Sequence, residues 1–277
     1  MSRMMIQAAV TMNQLQNKLD IVGNNIANSQ TTGYKSRGAE FSSLLYQQID
    51  NLNNPDNGEQ RLTPDGIRIG SGAGLGATTL NLDQGSIVSS DRSLDTALLN
   101  KNALFQIQVT NNGETETMYT RDGAFYLSPG TDEQSVTLTT KNGNPVLGEN
   151  GPITFADGFD SISIRDNGQV VVERGSFVEV VGTIDIVEAI RPNVLEAAGQ
   201  NMFRLPNLEE LDYNLADIIQ DVQTQTKLIQ SNALEQSNVD ISQQMSDLIL
   251  TQRSYQFNSR TISMSDQMMG LVNGLRS

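Results

Sequence analysis

Met4-Met-Ile-Gln-Ala-Ala-Val-Thr-Met-Asn-Gln-Leu-Gln-Asn-Lys-Leu-Asp-Ile-Val-Gly-Asn-Asn-Ile-Ala-Asn28 lies at the start of this chain. Within it Met5, Ala8, Met12, Leu15, Leu19, Val22 and Ile26 recur at alternating steps of three and four, which places them on one face of a helix. Gln7, Asn13, Gln16, Asn17 and Lys18 occupy the other faces. A second stripe lies at the far end: Ile241, Met245, Leu248, Gln252, Tyr255, Ser259, Ile262 and Met269, widened by Ile249, Met268, Leu271 and Val272. The long middle carries no such pattern. Two answering stripes predict that the chain begins and ends in one helical layer. The first helix is expected from about Met4 to Asn28, stopped in Ser29-Gln-Thr-Thr-Gly33, where glycine breaks it. The last is expected to start near Ile241, with Asp240 or Ser237 as its N-cap.

Working inward from the first helix, Phe41, Leu44, Leu45, Tyr46 and Ile49 predict a short amphipathic helix that completes an N-terminal helical assembly segment, 1–49. Residues 50–77 are rich in Asn, Gly, Asp and Pro, as in Asn53-Asn-Pro-Asp-Asn-Gly58, and read as a linker. From 78 to 194 short β-branched runs alternate with turn signals. Phe105-Gln-Ile-Gln-Val109 followed by Asn111-Asn-Gly113 is a hairpin signature. Further strands are expected at Met118 to Thr120, Ala124 to Leu127, Ser135 to Thr140, Ser161 to Arg165, Gln169 to Glu173 and Phe177 to Val187. Residues 195–236 form a return segment in which Leu208, Leu211, Leu215, Ile218, Ile219 and Val222 indicate a weak helix or an extended run. Residues 237–277 are the C-terminal helical assembly segment. The predicted class is α+β: terminal helices paired as a coiled-coil-like layer, with an inserted, mostly antiparallel β domain.

Composition narrows the function. Hydrophobic content is 37% and aromatic content 5%, with no Trp, which is lean for a compact enzyme of 277 residues and suits an assembling protein. Cysteine and histidine are both absent, so disulfides, Cys/His zinc sites, thiol nucleophiles and every Ser-His-Asp or Cys-His arrangement are excluded. A net charge of −14 argues against nucleic acid, whose phosphates require clustered Lys and Arg. Residues 1–49 hold four bases against two acids, whereas 207–277 hold nine acids against four bases, and the opposite signs favour pairing of the ends. No run approaches the roughly 20 apolar residues of a membrane span. Met1-Ser-Arg-Met-Met-Ile leads into an Asn/Gln-rich helix rather than the apolar core of a cleaved signal peptide.

Candidate sites for small-molecule chemistry are weak. Gly70-Ser-Gly-Ala-Gly-Leu-Gly76 precedes Thr78-Thr-Leu-Asn-Leu82, a strand pattern, whereas a phosphate cradle must open a helix. It reads as a lead-in to the β domain. Asp157 with Asp160, or Glu173 with Glu179, are acid pairs of the kind glycoside hydrolysis uses, yet a chain with 32 acids makes chance pairs inevitable. Asp166-Asn-Gly168 lacks the other ligands of a calcium loop and reads as a turn. No catalytic residue, metal site or cofactor is expected. Met4, Met5, Met12, Met245, Met264, Met268 and Met269 concentrate in the terminal helices, where unbranched thioethers suit adaptable interface packing.

Leu19-Asp-Ile-Val-Gly-Asn-Asn-Ile-Ala-Asn-Ser-Gln-Thr-Thr-Gly-Tyr-Lys35 closely resembles the N-terminal signature of the bacterial flagellar rod and hook protein family, through Gly23, Asn25, Asn28, Thr31, Gly33, Tyr34 and Lys35. Leu234-Glu-Gln-Ser-Asn-Val-Asp240, with Gln252-Arg-Ser-Tyr255 and Asn258, is similar to that family's C-terminal signature. Its matching positions are Leu234, Glu235, Ser237, Asn238, Val239, Gln252, Arg253, Tyr255 and Asn258. Gln84-Gly85, Leu94-Asp95, Tyr119-Thr-Arg-Asp-Gly-Ala-Phe125 and Asn144-Pro-Val-Leu-Gly148 resemble β-domain landmarks of distal-rod and hook-like members. The chain departs from the pattern at Asn100, Asn102 and Asn232, where glycine is usual, at Leu104 for an aromatic, and at Gln244 for Glu.

The resemblance implies a divergent distal-rod-like subunit of the flagellar basal body that polymerises helically through its terminal helices and is needed for motility. Its implied partners are other copies of itself, other rod and hook proteins, and the flagellar type III export apparatus, which moves members across the cytoplasmic membrane without a cleaved signal. The assembly residues expected on this basis are Met5, Ala8, Met12, Leu15, Leu19, Val22 and Ile26 against Ile241, Met245, Leu248, Tyr255, Ile262 and Met269. A hook subunit or rod-hook adaptor, a rod-associated peptidoglycan hydrolase and a secreted binding module remain the alternatives.

Overall fold

The computed structural model describes residues 2–43, 46–49, 67–70, 73–111, 113–130, 134–206, 214–222 and 228–275. The chain divides into two units. The first comprises Met1–Ile26, Arg37–Thr79 and Ile241–Ser277, the second Ala27–Ser36 and Leu80–Asp240.

In the first unit, helix α1 runs Ser2–Ala27 and the C-terminal helix Ile241–Gly274. The predicted stripe of α1 is its covered face: Ala8 and Val22 are buried and Met5, Met12, Leu15, Leu19 and Ile26 half-buried, while Met4 and Ile6 face out. The C-terminal helix differs from expectation. Its covered row is Leu248, Thr251, Tyr255, Asn258, Ile262, Ser265 and Met269, with Thr251 and Ser265 the most deeply buried. Ile241, Met245 and Gln252 are exposed, and so are Ile249, Met268, Leu271 and Val272. The row keeps the three-four repeat but runs through small polar residues, which a search for apolar positions passes over. Thr251 returns its hydroxyl to the carbonyl of Asp247 at 2.6 Å, the bond that lets a hydroxyl enter a covered helix face.

The helix expected over 41–49 is not formed: Phe41 lies in the strand Arg37–Ser43, and Tyr46 and Ile49 in the strand Tyr46–Ile49. Leu44 and Leu45 lie outside the described residues. Parts of the predicted linker are strands too, Ile67–Gly70 and Ala73–Leu80. Arg37–Ser43 pairs with Ala73–Leu80, and Tyr46–Ile49 runs antiparallel to Ile67–Gly70. Pairing across that distance in sequence overrides a local 3.6-residue pattern. Gly38 permits close approach: a Cβ there would stand 2.8 Å from Thr79 Oγ1.

The second unit is built on an antiparallel sheet of six strands in the order Glu196–Gly199, Met202–Arg204, Glu114–Thr120, Ala103–Asn111, Ile186–Ala189, Ile219–Asp221. Its centre is the expected hairpin, Ala103–Asn111 with Glu114–Thr120, turned through Gly113 at φ 91°. Two three-stranded sheets accompany it, Thr154–Ala156, Ser135–Thr140, Phe125–Pro129 and Ser161–Ile164, Gln169–Arg174, Phe177–Thr183. The strand expected over Phe177 to Val187 is broken at Ile184 and Asp185, so its two halves serve different sheets. Phe105, Phe125, Leu138, Val170 and Ile186 centre the larger core, and the Phe105 and Phe125 rings meet edge to face at 5.1 Å. A second cluster on Leu104, Tyr119, Val187 and Phe203 covers the sheet's other face.

The stretch 195–236 supplies strands to this unit. A one-turn helix, α2 (Leu215–Ile218), leads into the edge strand Ile219–Asp221. Ile229–Ser231 then pairs with Thr96–Leu98, and Ala233–Glu235 with Ile87–Ser89. Leu208 and Leu211 lie outside the described residues. The C-terminal helix, α3 in chain order, begins directly after Asp240. No helix among the described residues is long and apolar enough to cross a membrane.

Candidate functional site

The two signature segments, one after α1 and one before α3, meet on the β unit. Past Ala27 the chain turns through Asn28, whose carbonyl accepts the Thr31 amide at 3.1 Å and whose side-chain oxygen accepts the Thr31 hydroxyl at 3.2 Å. Gly33 then takes φ 65°, and a Cβ there would lie 2.6 Å from the Asp122 backbone nitrogen. Conformation and contact both demand glycine. Its amide donates to the Glu235 carbonyl at 2.8 Å, the Ser36 amide to Asn238 Oδ1 at 2.8 Å, and the Asn81 amide to the Ser36 carbonyl at 3.0 Å. Asn238 Nδ2 donates to the carbonyls of Asn81 and Asp83, both at 2.9 Å. Tyr34 is buried beside this seam.

A buried charge cluster lies at its centre. Lys35 Nζ donates to Glu235 Oε1 at 2.6 Å and to the Asp83 carbonyl at 2.7 Å. Arg121 Nε donates to Glu235 Oε2 at 2.5 Å. The rest of the guanidinium donates to the carbonyls of Asn100 (2.6 Å), Lys101 (2.9 Å), Ala103 (2.6 Å) and Leu98 (3.3 Å). Gly85 completes the shell, its amide donating to Glu235 Oε1 at 2.8 Å. The three charged side chains are removed from solvent almost entirely. Two cations thus face one carboxylate, and five backbone carbonyls accept further bonds from them. Burial pulls Lys35 below the ordinary lysine range, the Arg121 charge adds to that, and the bond to Glu235 opposes both. Burial likewise lowers Arg121, against the attraction of Glu235.

A smaller node lies in the first unit. Asn25, fully buried near the end of α1, accepts the Arg37 amide at 3.1 Å and donates to the Arg37 carbonyl at 2.9 Å. It also donates to Gln244 Oε1 on α3 at 3.0 Å. The signature positions therefore fall into two groups. Asn25, Asn28, Thr31, Gly33, Tyr34, Lys35, Glu235 and Asn238 build these seams, with Leu234 in the strand that presents Glu235 and the Ser237 hydroxyl accepting the Val239 amide at 3.4 Å. Gln252 and Arg253 are exposed on α3, Tyr255 and Asn258 lie in its covered row, and at Gly23 a Cβ would meet open space.

Residues 7–35 match the family described as Flagella basal body rod protein, 99–172 the Flagellar hook protein FlgE/F/G D1 domain, and 230–275 the Flagellar basal body rod FlgEFG protein C-terminal. The chain is 40% identical to the Flagellar hook-basal body complex protein FlhP of Bacillus subtilis, over the full length of both. This chain belongs to the flagellar basal-body rod and hook protein family. It is also similar to the Flagellar basal-body rod protein FlgG of Borreliella burgdorferi, 32% identical over 100% of this chain and 99% of the relative, and to FlgG of Bacillus subtilis, 32% identical over 95% of each.

Three departures of this rod and hook family chain from its pattern, Asn232, Leu104 and Gln244, have local counterparts. Asn232 takes φ 53°, a left-handed conformation that Asn tolerates better than most residues. Leu104 fills the second core without a ring, whereas Asn100 serves Arg121 only through its backbone carbonyl, and nothing in the structure explains the side chains of Asn100 and Asn102. Gln244 keeps, as an amide oxygen, the acceptor that Asn25 needs. Arg121 carried no functional expectation of its own, although it lies inside the landmark Tyr119-Thr-Arg-Asp-Gly-Ala-Phe125. Its signal was a lone cation beside a buried strand end, legible only once Glu235 is known to face it. Each acid of the two candidate pairs accepts a local bond: Asp157 from the Gly158 amide, Asp160 from the Gly175 amide, Glu173 from the Ser161 hydroxyl and Glu179 from Arg174.

Proposed function

We propose that this chain is a non-enzymatic structural subunit of the flagellar axis, a divergent distal-rod-type protein that polymerises helically through α1 and α3. The observation that carries the reading is a second apolar row on α3. Leu250, Phe257, Met264 and Leu271 recur at steps of seven and are 63%, 73%, 58% and 71% exposed. They mark one line about 30 Å long on the helix surface. Four large apolar side chains on one line, in a chain of net charge −14, form an association surface rather than a face kept in water. The covered row, Leu248 through Met269, packs in this reading against the α1 stripe as a coiled-coil-like layer, with Asn25 and Gln244 setting the register. The outer row receives a neighbouring copy. A contact of that kind is heterologous and does not close, so it yields a helical polymer.

Distal-rod type is supported by the FlgG relatives, and divergence by the higher identity to FlhP than to FlgG of the same organism. The partners in this reading are further copies, other rod and hook proteins, and the flagellar export apparatus, with the basal body as the location. Copy number per basal body distinguishes a rod segment from a thin rod-hook adaptor. The test is sedimentation of the full chain beside the Leu250→Asp, Phe257→Asp double variant, with circular dichroism on both. Polymers from the parent and none from an equally helical variant support the reading. Equal polymerisation of the two removes the outer row from assembly.

A further inference from the structure

We infer that Glu235 is the shared anchor of the two chain-end segments, through which residues 28–36 and 234–240 are both held on the β unit. This inference stands on the cluster geometry and is independent of the assembly reading. Glu235 touches the N-terminal segment twice, through its carbonyl to the Gly33 amide and through Oε1 to Lys35 Nζ. It touches the β unit twice as well, through Oε1 to the Gly85 amide and through Oε2 to Arg121 Nε. Asn238, three residues on, repeats the arrangement on a smaller scale by bridging the Ser36 amide to the carbonyls of Asn81 and Asp83. Each segment also has bonds of its own to the β unit, Thr32 to Asp122 at 3.1 Å and Asn201 to the Thr32 carbonyl at 3.0 Å on one side, the pairing of Ala233–Glu235 with Ile87–Ser89 on the other, but Glu235 is the residue that serves both. Lys35 reaches the β unit directly only at the Asp83 carbonyl among its hydrogen bonds, and its charge is balanced by a carboxylate from the other chain end.

The electrostatics make the coupling steep. Lys35 and Arg121 share the one carboxylate, each with its side chain sealed from water. Replacing that carboxylate by an amide leaves two desolvated cations opposed, and a buried charge that loses its partner destabilises far more than the intact pair stabilises. Relief comes from hydrating Lys35, which donates to a single backbone carbonyl, because Arg121 is held by four. Lys35 withdraws with Gly33 and Ser36, and Glu235 loses both contacts to that segment. Loss of this one carboxylate therefore loosens both segments.

Hydrogen exchange read by mass spectrometry on the full chain tests this. In Glu235→Gln, exchange is expected to rise by at least about tenfold in both 28–36 and 234–240, while 103–111, 114–120 and 169–174 keep parental protection. In Lys35→Met the Arg121 and Glu235 pair stays balanced, so the rise is confined to 28–36. Parental protection of 28–36 in Glu235→Gln overturns the inference. So does loss of protection throughout the β strands, or failure of that variant to fold, because the cluster is then part of the sheet core and not a separable seam. A rise at both segments in Lys35→Met equal to that in Glu235→Gln also overturns it, by moving the coupling from the carboxylate to the lysine.

Discussion

At the scale of single residues, Gly33 shows how one position can be fixed twice. Its φ of 65° disfavours any side chain, and the space a Cβ would need is held by Asp122 backbone. Gly33→Ala is therefore expected to lower unfolding free energy by about 3 kcal/mol in urea titration, near the upper end for a strained backbone site. Gly113→Ala is the control: its φ is 91° but the surrounding space is open, so a loss of about 1 kcal/mol is expected. A loss at Gly33 no larger than at Gly113 removes the Asp122 contact from the explanation. Asp185 works in the opposite direction. Burial raises its carboxyl above the ordinary range, and the nearby charges of Asp221 and Glu149 add to this. A raised acid binds its proton more readily folded than unfolded, so this group weakens the fold at neutral pH and the penalty fades as pH falls towards the unfolded value of 3.8. Asp185→Asn is expected to be more stable than the parent at pH 7, with the gap narrowing by pH 4; thermal unfolding at the two pH values checks it.

Among the elements, α3 carries two rows of opposite character. Its covered row runs through Thr251, Asn258 and Ser265, and its open row through Leu250, Phe257, Met264 and Leu271. Substitutions on the two rows should therefore part company. Leu248→Asp, and Leu19→Asp on α1, put a charge on half-covered faces and are expected to reduce both helicity and assembly, whereas Phe257→Asp reduces assembly alone. Circular dichroism beside sedimentation separates the rows, and equal loss of helicity in Phe257→Asp and Leu248→Asp would merge them. The β unit answers to its own core: Phe105→Ala, opposite Phe125, is expected to cost about 4 kcal/mol in denaturant titration.

For the molecule as a whole, charge opposes what the apolar rows favour. Each copy brings a net −14, so copies repel one another at low ionic strength. Raising salt from about 0.01 M to 0.15 M shortens the screening length from roughly 30 Å to 8 Å. Light scattering is accordingly expected to show faster polymer growth across that range. Slower growth with added salt would mean that attraction between the oppositely charged chain ends outweighs the repulsion between whole copies.

The sequence by itself determined the terminal helices, the face that α1 covers, the hairpin at Asn111-Asn-Gly113 and the family, because each is written in local spacing: steps of three and four, alternation with a turn signal, and two compact motifs. Tertiary structure alone decided what lies far apart in the chain. Arg37–Ser43 became a strand because Ala73–Leu80 was there to pair with it. The covered row of α3 shifted onto Thr251 and Ser265, where packing outweighs hydrophobicity. The signature residues Lys35 and Glu235 acquired a role only when the fold brought them to 2.6 Å and placed Arg121 beside them. A buried ion cluster has no period and no local pattern; it exists only where the chain closes on itself and removes the water.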